Sequence, residues 1–391
     1  MGAVFTGLDV LNEEYGTRLK GARLGLISNQ SSLDRTLTPA KEVVSRAFPG
    51  QLKALFGPQH GHGGIDQDNM IETDHSYDPV LNIPIFSLYS QMREPVPEML
   101  ELVDLFLIDL QDVGTRVYTF ASTVLECLKA ASKSGKRVLV LDRPNPLGGE
   151  RVEGNLLAPE LYSFVGPYRF PMRHGLTMGE MALAFNDVYH LGCDLEVLRM
   201  RGWVRGMDWP DTGLRWIMPS PNMPLYETAQ VYPGQVIWEG TNISEGRGTC
   251  RPFEIFGAPF FNTREILNTI PPDSLAGCVL QEISFRPTFN KWKDEVCFGF
   301  MIHITDSRRF SPYFTALSLL QALLTNYPQH FCWKQPPYEY EYKRLPIDLI
   351  IGDEGIRKAL EEGRNLLSLK ERWDEDLRDF LEWRRPHLLY A

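Results

Sequence analysis

The chain has 391 residues, 43% hydrophobic and 23% charged, which is enough for two domains with ordinary cores and excludes a structureless polymer. Its formal net charge of -10 argues against a nucleic-acid partner, because phosphate backbones are met by basic surfaces and no Lys/Arg-rich run offsets the balance. No stretch reaches the ~18 uninterrupted apolar residues of a transmembrane helix, so no membrane partner is expected.

In chain order, the first residues, Met-Gly-Ala-Val-Phe-Thr-Gly-Leu-Asp, carry neither a basic leader nor a long apolar run. No signal peptide is therefore expected, which points to the cytoplasm, or to the periplasm or exterior for a chain already trimmed. Residues 22–28 read as a buried strand, 39–48 as a helix, 52–56 and 83–87 as strands, 103–109 as a strand, 118–132 as a helix and 137–142 as a strand. Strands alternating with helices imply a mostly parallel α/β sheet over residues 1–160, and such sheets bind ligands beyond the carboxyl ends of their strands. Residues 161–391 read as a smaller α+β domain closing a cleft. It opens with Thr177 and Glu180, spaced as a capping box, ahead of a helix. Strands are expected at 194–200, 235–238, 280–285 and 296–305, and helices at 311–324, 354–362 and 366–383. The six cysteines are dispersed, mostly in apolar segments and without a CxxC pair, so they read as free thiols of a reducing compartment.

Polar residues follow the successive strands of the first domain: Asn29, then Gln59, His60 and His62, then Asp109, Asp112 and Arg116, then Asp142, Arg143 and Asn145. Any one of these tips could cap a helix or a turn; together they mark one edge of the sheet as a candidate site. The stretch Gly240–Glu254 packs three glycines, two arginines and several hydroxyl, amide and carboxylate groups into fifteen positions, which suits a loop that closes on a polar ligand. Arg247 and Arg251 fit a carboxylate or phosphate, and Asn242, Ser244 and Thr249 fit hydroxyl or amide groups. Glu72, Asp112, Glu239 and Glu245 lie beside strand ends or in glycine-bearing loops, where an acid or base would be kept. His60 and His62, with nearby aspartates and the distant His174, are the alternative metal set, but two histidines at i and i+2 in a glycine-rich loop form no recognised zinc motif. The first strand is not followed by G-x-G-x-x-G, and the chain lacks a P-loop and G-x-S-x-G, which removes dinucleotide, nucleoside triphosphate and serine-nucleophile readings.

Six ordered motifs then carry a resemblance: Phe-Gly-Pro-Gln-His-Gly, Ile-Asp-Leu-Gln-Asp-Val-Gly-Thr-Arg, Leu-Asp-Arg-Pro-Asn-Pro, Pro-Met-Arg-His-Gly-Leu-Thr, Pro-Ser-Pro-Asn-Met-Pro and Glu-Gly-Thr-Asn-Ile-Ser-Glu-Gly-Arg-Gly-Thr. From Phe5 to Tyr390 the chain resembles the exo-β-N-acetylmuramidase (NamZ-like) family. The resemblance implies a Rossmann-like first domain, a smaller second one, and release of non-reducing-end N-acetylmuramic acid from peptidoglycan fragments without a redox cofactor. It also makes a muramyl sugar the expected partner. Its lactyl carboxylate suits the forked guanidinium of Arg247, Arg251, Arg143 or Arg116, with Asn29, Asp142, Asn145, His174 and Asn242 as further ligand contacts. One position departs from the pattern. Where the family pattern reads Pro-Glu-His-Gly, this chain has Pro58-Gln59-His60-Gly61, and that glutamate is the usual catalytic candidate. Either another acid, drawn from Glu72, Asp112, Glu239 and Glu245, takes the role with Gln59 orienting, or this branch acts on a different sugar, or it binds without cleaving.

Overall fold

The computed structural model describes residues 3–90 and 92–391. Helix α1 (Gly7–Tyr15) starts at a Thr6–Asp9 capping box and precedes β1 (Leu24–Ser28), α2 (Ala40–Ala47) and β2 (Leu52–Gly57). Then come β3 (Ser76–Asp78), β4 (Ile83–Ser87), α3 (Pro97–Leu100), β5 (Leu105–Asp109), α4 (Phe120–Lys133) and β6 (Arg137–Leu141). A short antiparallel pair, β7 (Glu153–Leu156) and β8 (Pro171–Arg173), leads to α5 (Met178–Val188), whose Thr177–Glu180 capping box forms as expected, and to β9 (Asp194–Leu198).

These strands build a seven-stranded sheet in the order β3-β4-β2-β1-β5-β6-β9, parallel except for the β3–β4 pair. The segment at 194–200 was expected in the second domain. Instead β9 pairs in parallel with β6, so the sheet takes its last strand from beyond residue 160. Alternation along β5 shows why the strands read as continuous apolar runs. Leu105 and Leu107 face a cluster with Leu8, Leu11 and Val44 of α1 and α2, whereas Phe106 and Ile108 face one with Val124, Leu128 and Phe185 of α4 and α5. The chain order reverses between β1 and β5, the point at which such sheets open a crevice.

The second part begins with α6 (Tyr226–Gln235), which tightens into a 3-10 turn, Val236–Gly240. A strand was expected at 235–238. Val236, Ile237 and Trp238 are fully buried, and a short apolar run satisfies a buried helical turn as well as a buried strand. Beyond lie β10 (Ile255–Ala258), α7 (Thr263–Thr269), β11 (Cys278–Phe285), β12 (Cys297–Ile304) and α8 (Pro312–Asn326). Helices α9 (Pro346–Ile351), α10 (Glu354–Glu361) and α11 (Leu366–Trp383) finish the chain. The second sheet is antiparallel, ordered β10-β12-β11. One apolar cluster runs from Phe106 and Phe120 through Trp238 and Phe256 to Leu320 and Ile350, so the two parts share a core and hold their facing loops in fixed register. No helix among the described residues is long and apolar enough to cross a membrane.

Candidate active site

The carboxyl ends of β1, β2, β4, β5 and β6 share one edge, as parallel pairing requires, but their polar tips do not share one cavity. Several are consumed within the fold. Asn29 donates to the Pro219 carbonyl at 2.8 Å and accepts from the Ser31 hydroxyl at 2.8 Å. Asn145 likewise donates to the Leu176 carbonyl and accepts from the Leu147 N–H, both at 2.9 Å. Asp142 accepts from the Thr177 hydroxyl at 2.7 Å, the Gly179 N–H at 2.8 Å and the Tyr390 hydroxyl at 2.6 Å, stitching the end of β6 to the start of α5 and to the C-terminus. Arg143 forks onto Asp109 at 2.5 and 2.8 Å. Arg116 is buried and donates to the carbonyls of Asn155, Phe170, Ile350 and Ile351. His174 lies 3.3 Å from Asp112, a buried pair outside the cavity described next.

That cavity encloses about 460 Å³, its mouth included, between the loop after β2 and the second part of the chain. Gln59, His60, Glu239, Arg247, Tyr338 and Glu339 line it. The turn carrying Gln59 and His60 folds back so tightly on β2 that a Cβ on Gly57 would lie 2.4 Å from the His62 nitrogen, so only glycine fits there. Three lining or adjoining residues sit in left-handed backbone: His60 at φ 70°, Glu339 at φ 45° and Tyr340 at φ 66°. Non-glycine residues rarely adopt this, and strain of this kind gathers at functional sites.

Gln59 is fixed from three sides. Its Oε1 accepts from the Thr119 hydroxyl at 2.5 Å, and its Nε2 donates to Glu339 at 3.0 Å and to the Tyr89 hydroxyl at 3.2 Å. Tyr89 donates in turn to the other oxygen of Glu339 at 2.6 Å. Burial, reinforced by the nearby Glu239, pushes the Glu339 carboxyl up to about 7, against the opposing bonds from Tyr89 and Gln59. Glu239 goes the other way. Burial opposes its charge, but Arg247 at 2.6 Å and the Tyr338 hydroxyl at 2.6 Å outweigh it and hold the carboxylate below its usual range. Asn69 also donates to Glu239, at 2.9 Å. His60 is half-buried, and desolvation pushes it down to about 4; its Nδ1–H donates to the Asp66 carbonyl at 2.6 Å, which leaves Nε2 an acceptor. His62 turns to the Ser28 carbonyl instead. No group of three His, Cys, Asp or Glu suited to hold a metal ion occurs among the described residues.

The Gly240–Glu254 loop reaches the first domain. Arg247 donates to the Gln67 carbonyl at 3.0 Å and to Asn69 at 3.3 Å, which places Glu239 and Arg247 on the same cavity as His60. Its other residues do structural duty. Glu245 pairs with Arg247 at 3.2 Å and Lys291 at 2.7 Å, Arg251 pairs with Glu254 at 2.9 Å, and Asn242 bonds the backbone of His330 and Cys332. Glu72 is exposed, 3.5 Å from the Tyr340 hydroxyl, and does not line the cavity.

With this geometry in place, sequence models of the N-terminal and C-terminal domains of exo-beta-N-acetylmuramidase NamZ match residues 24–227 and 230–390. The chain belongs to the NamZ family. It is 39% identical over 387 residues to the peptidoglycan beta-N-acetylmuramidase NamZ of Bacillus subtilis (strain 168), covering 99% of this chain and 91% of that protein. Two crystal structures of DUF1343 family proteins from Bacteroides fragilis NCTC 9343 share the fold. One has a TM-score of 0.88 at 32% identity, covering 99% of both chains; the other has 0.78 at 25% identity, covering 100% of this chain and 99% of that one.

Within this NamZ-family cavity, the residue that sequence reasoning missed is Glu339, which touches Gln59 across 280 positions of chain. Its segment, Pro336-Pro337-Tyr338-Glu339-Tyr340-Glu341-Tyr342, lies between expected helices and fits no periodic element. The available signal was its composition, since tyrosines alternating with carboxylates after two prolines supply aromatic walls and acids in one place.

Proposed function

We propose that this chain is a glycoside hydrolase that releases non-reducing-end N-acetylmuramic acid from peptidoglycan fragments. The observation that carries this is the pair of cavity carboxyls with opposite tendencies: Glu339 pushed up to about 7, and Glu239 held below its usual range. Environments that drive two carboxyls apart mark an acid and an ionised partner. Glu339 is the general acid that protonates the glycosidic oxygen. Each of its oxygens accepts one bond, from Gln59 or from Tyr89, which leaves room for the transferable proton to face the cavity. Glu239, anchored by Arg247 and Tyr338, supplies fixed negative charge to the oxocarbenium-like transition state. The sugar's own 2-acetamido oxygen is the internal nucleophile, as in substrate-assisted glycosidases, so one protein acid suffices. Gln59, standing where the family pattern carries glutamate, holds Glu339 by donating to it, which an ionised carboxylate could not do.

The B. subtilis relative's activity supports this reading, and the resemblance across the whole chain extends it to this protein. The test is incubation with a para-nitrophenyl β-N-acetylmuraminide beside the corresponding glucosaminide and with an unactivated muramyl disaccharide. Sugar release from the muraminide and the disaccharide is expected. Tight binding of the disaccharide without cleavage would replace the hydrolase with a muropeptide-binding protein, the outcome that Gln59 would then explain.

A further inference from the structure

A site made of carboxylates in a chain of net charge -10 repels an acidic ligand, so a substrate bearing a carboxylate needs a cation of its own. The four arginines that the sequence offered are occupied: Arg247 by Glu239 and Glu245, Arg251 by Glu254, Arg143 by Asp109, and Arg116 by backbone carbonyls. Arg93 is different. Its Nε is buried without a hydrogen-bond partner, and the cavity carboxyl it acts on, Glu339, feels it less than burial, Tyr89, Glu239 and Gln59. Its guanidinium carbon lies 3.3 Å from the centroid of the Tyr340 ring and 5.4 Å from that of Phe164. Stacking on two rings offsets part of the cost of a half-buried cation, but it leaves Nε without an acceptor.

Arg93 borders an open groove of about 1010 Å³, its mouth included, together with Tyr162, Ser163, Phe164 and Tyr189; the two carboxylates on the same groove, Glu126 and Glu94, are paired with Lys129 at 2.8 Å and Lys133 at 3.8 Å. Ser163 Oγ is a second buried polar atom there without a partner. Aromatic contacts link the groove to the cavity. Tyr89, which bonds Glu339, lies 5.9 Å from Phe164 and 5.6 Å from Tyr340, ring to ring, and Tyr340 follows Glu339 in the chain. Val165 faces the cavity while Phe164 faces the groove.

We propose that this groove is a ligand subsite in which Arg93 reads a carboxylate carried by the substrate, with the aromatic walls taking sugar faces and the Ser163 hydroxyl a further polar group. The proposal rests on the hydrolase reading for its substrate and assigns to Arg93 the selection of the acidic sugar over a neutral N-acetylhexosamine. Two sources supply the same chemistry: the lactyl ether of the sugar itself, or the acidic residues of an attached peptide, whose linkage converts the lactyl carboxylate to an amide.

The experiment compares wild type with Arg93→Gln and Arg93→Lys in two measurements. Steady-state kinetics on the chromogenic muraminide and glucosaminide should show the muraminide preference reduced about 10- to 100-fold in Arg93→Gln, in KM rather than kcat, with partial rescue by lysine. Calorimetry with N-acetylmuramic acid, N-acetylglucosamine and N-acetylmuramyl-L-alanyl-D-isoglutamine needs no turnover, so it separates failure of this proposal from failure of the hydrolase reading. Selective loss of N-acetylmuramic acid binding assigns the lactyl carboxylate, and selective loss of the peptide-bearing ligand assigns the peptide. Equal losses on acidic and neutral ligands would make Arg93 only a brace for Tyr340 and overturn the proposal. Wild type that fails to bind either acidic ligand would overturn it as well.

Discussion

Asp142 and Glu339 are both buried carboxyls pushed above their ordinary range, to about 6 and about 7, and both receive hydroxyl hydrogen bonds. Their surroundings differ in one respect. Asp142 is enclosed by four donors from Thr177, Gly179, Tyr390 and its own chain neighbour Arg143, and lines neither the cavity nor the groove beside Arg93. Glu339 faces open space with Glu239, His60 and Arg247 around it. A raised carboxyl is therefore a candidate acid only where a substrate atom can reach it; elsewhere the same physics marks a joint.

The widest separation between the two should appear in turnover. Glu339→Gln is expected to lower kcat on an unactivated muramyl disaccharide by ~100-fold or more, the scale of general acid catalysis, with a smaller loss on an activated aryl glycoside whose leaving group needs less protonation. Asp142→Asn should leave KM within a few-fold and instead cost about 1–3 kcal/mol of stability in urea denaturation, because an amide cannot accept from all the donors that converge on Asp142. An Asp142→Asn protein as inactive as Glu339→Gln, yet folded and stable, would dissolve the distinction.

The sequence revealed the sheet well because a doubly covered parallel strand has nowhere to put polar groups: Leu24–Ser28, Leu105–Asp109 and Arg137–Leu141 all read as apolar runs and all pair. It misplaced residues 235–238 because burial on every side erases the period that separates a strand from a helical turn. Site residues were legible by type and not by occupation. Arg143, Arg116 and Arg251 look like free guanidiniums in a string of letters, and their partners come from elsewhere in the fold or, for Arg251, three residues on in the same loop. Glu339 was hidden for the opposite reason, since its partner Gln59 was in view while nothing local joined the two segments.

Stability against pH offers a finer comparison, because there the two carboxyls should behave alike. For each, the folded pKa exceeds the unfolded one, so the folded state holds more protons across the interval, and stability falls as pH rises through it. Asp142 contributes that fall between its ordinary value of 3.8 and about 6, and Glu339 between 4.5 and about 7. Denaturation midpoints taken at closely spaced pH should show Asp142→Asn flattening the lower part of the slope and Glu339→Gln the upper part. A slope left unchanged by Glu339→Gln would mean that its carboxyl titrates in the ordinary range and cannot serve as the acid at neutral pH.

The smallest expected effect lies at position 59. Gln59 donates to Glu339 and so favours its ionised form, working against burial. Gln59→Glu removes that donor and sets a second carboxyl beside the first, so the pair shares protons and the last one leaves at higher pH. Because the proposed reaction needs Glu339 protonated, kcat/KM of the wild type should decline above about 7. In Gln59→Glu that alkaline limb should move upward by about one pH unit, the least that defines a coupled pair, while calorimetric affinity for N-acetylmuramic acid stays within a few-fold. A limb that stays in place would show Gln59 and Glu339 to be electrostatically independent despite their 3.0 Å contact. A wild-type profile with an acidic limb and no alkaline one would mean that the group titrating in catalysis is a base, and His60, pushed down to about 4 with its Nε2 left as an acceptor on the same cavity, would take that role.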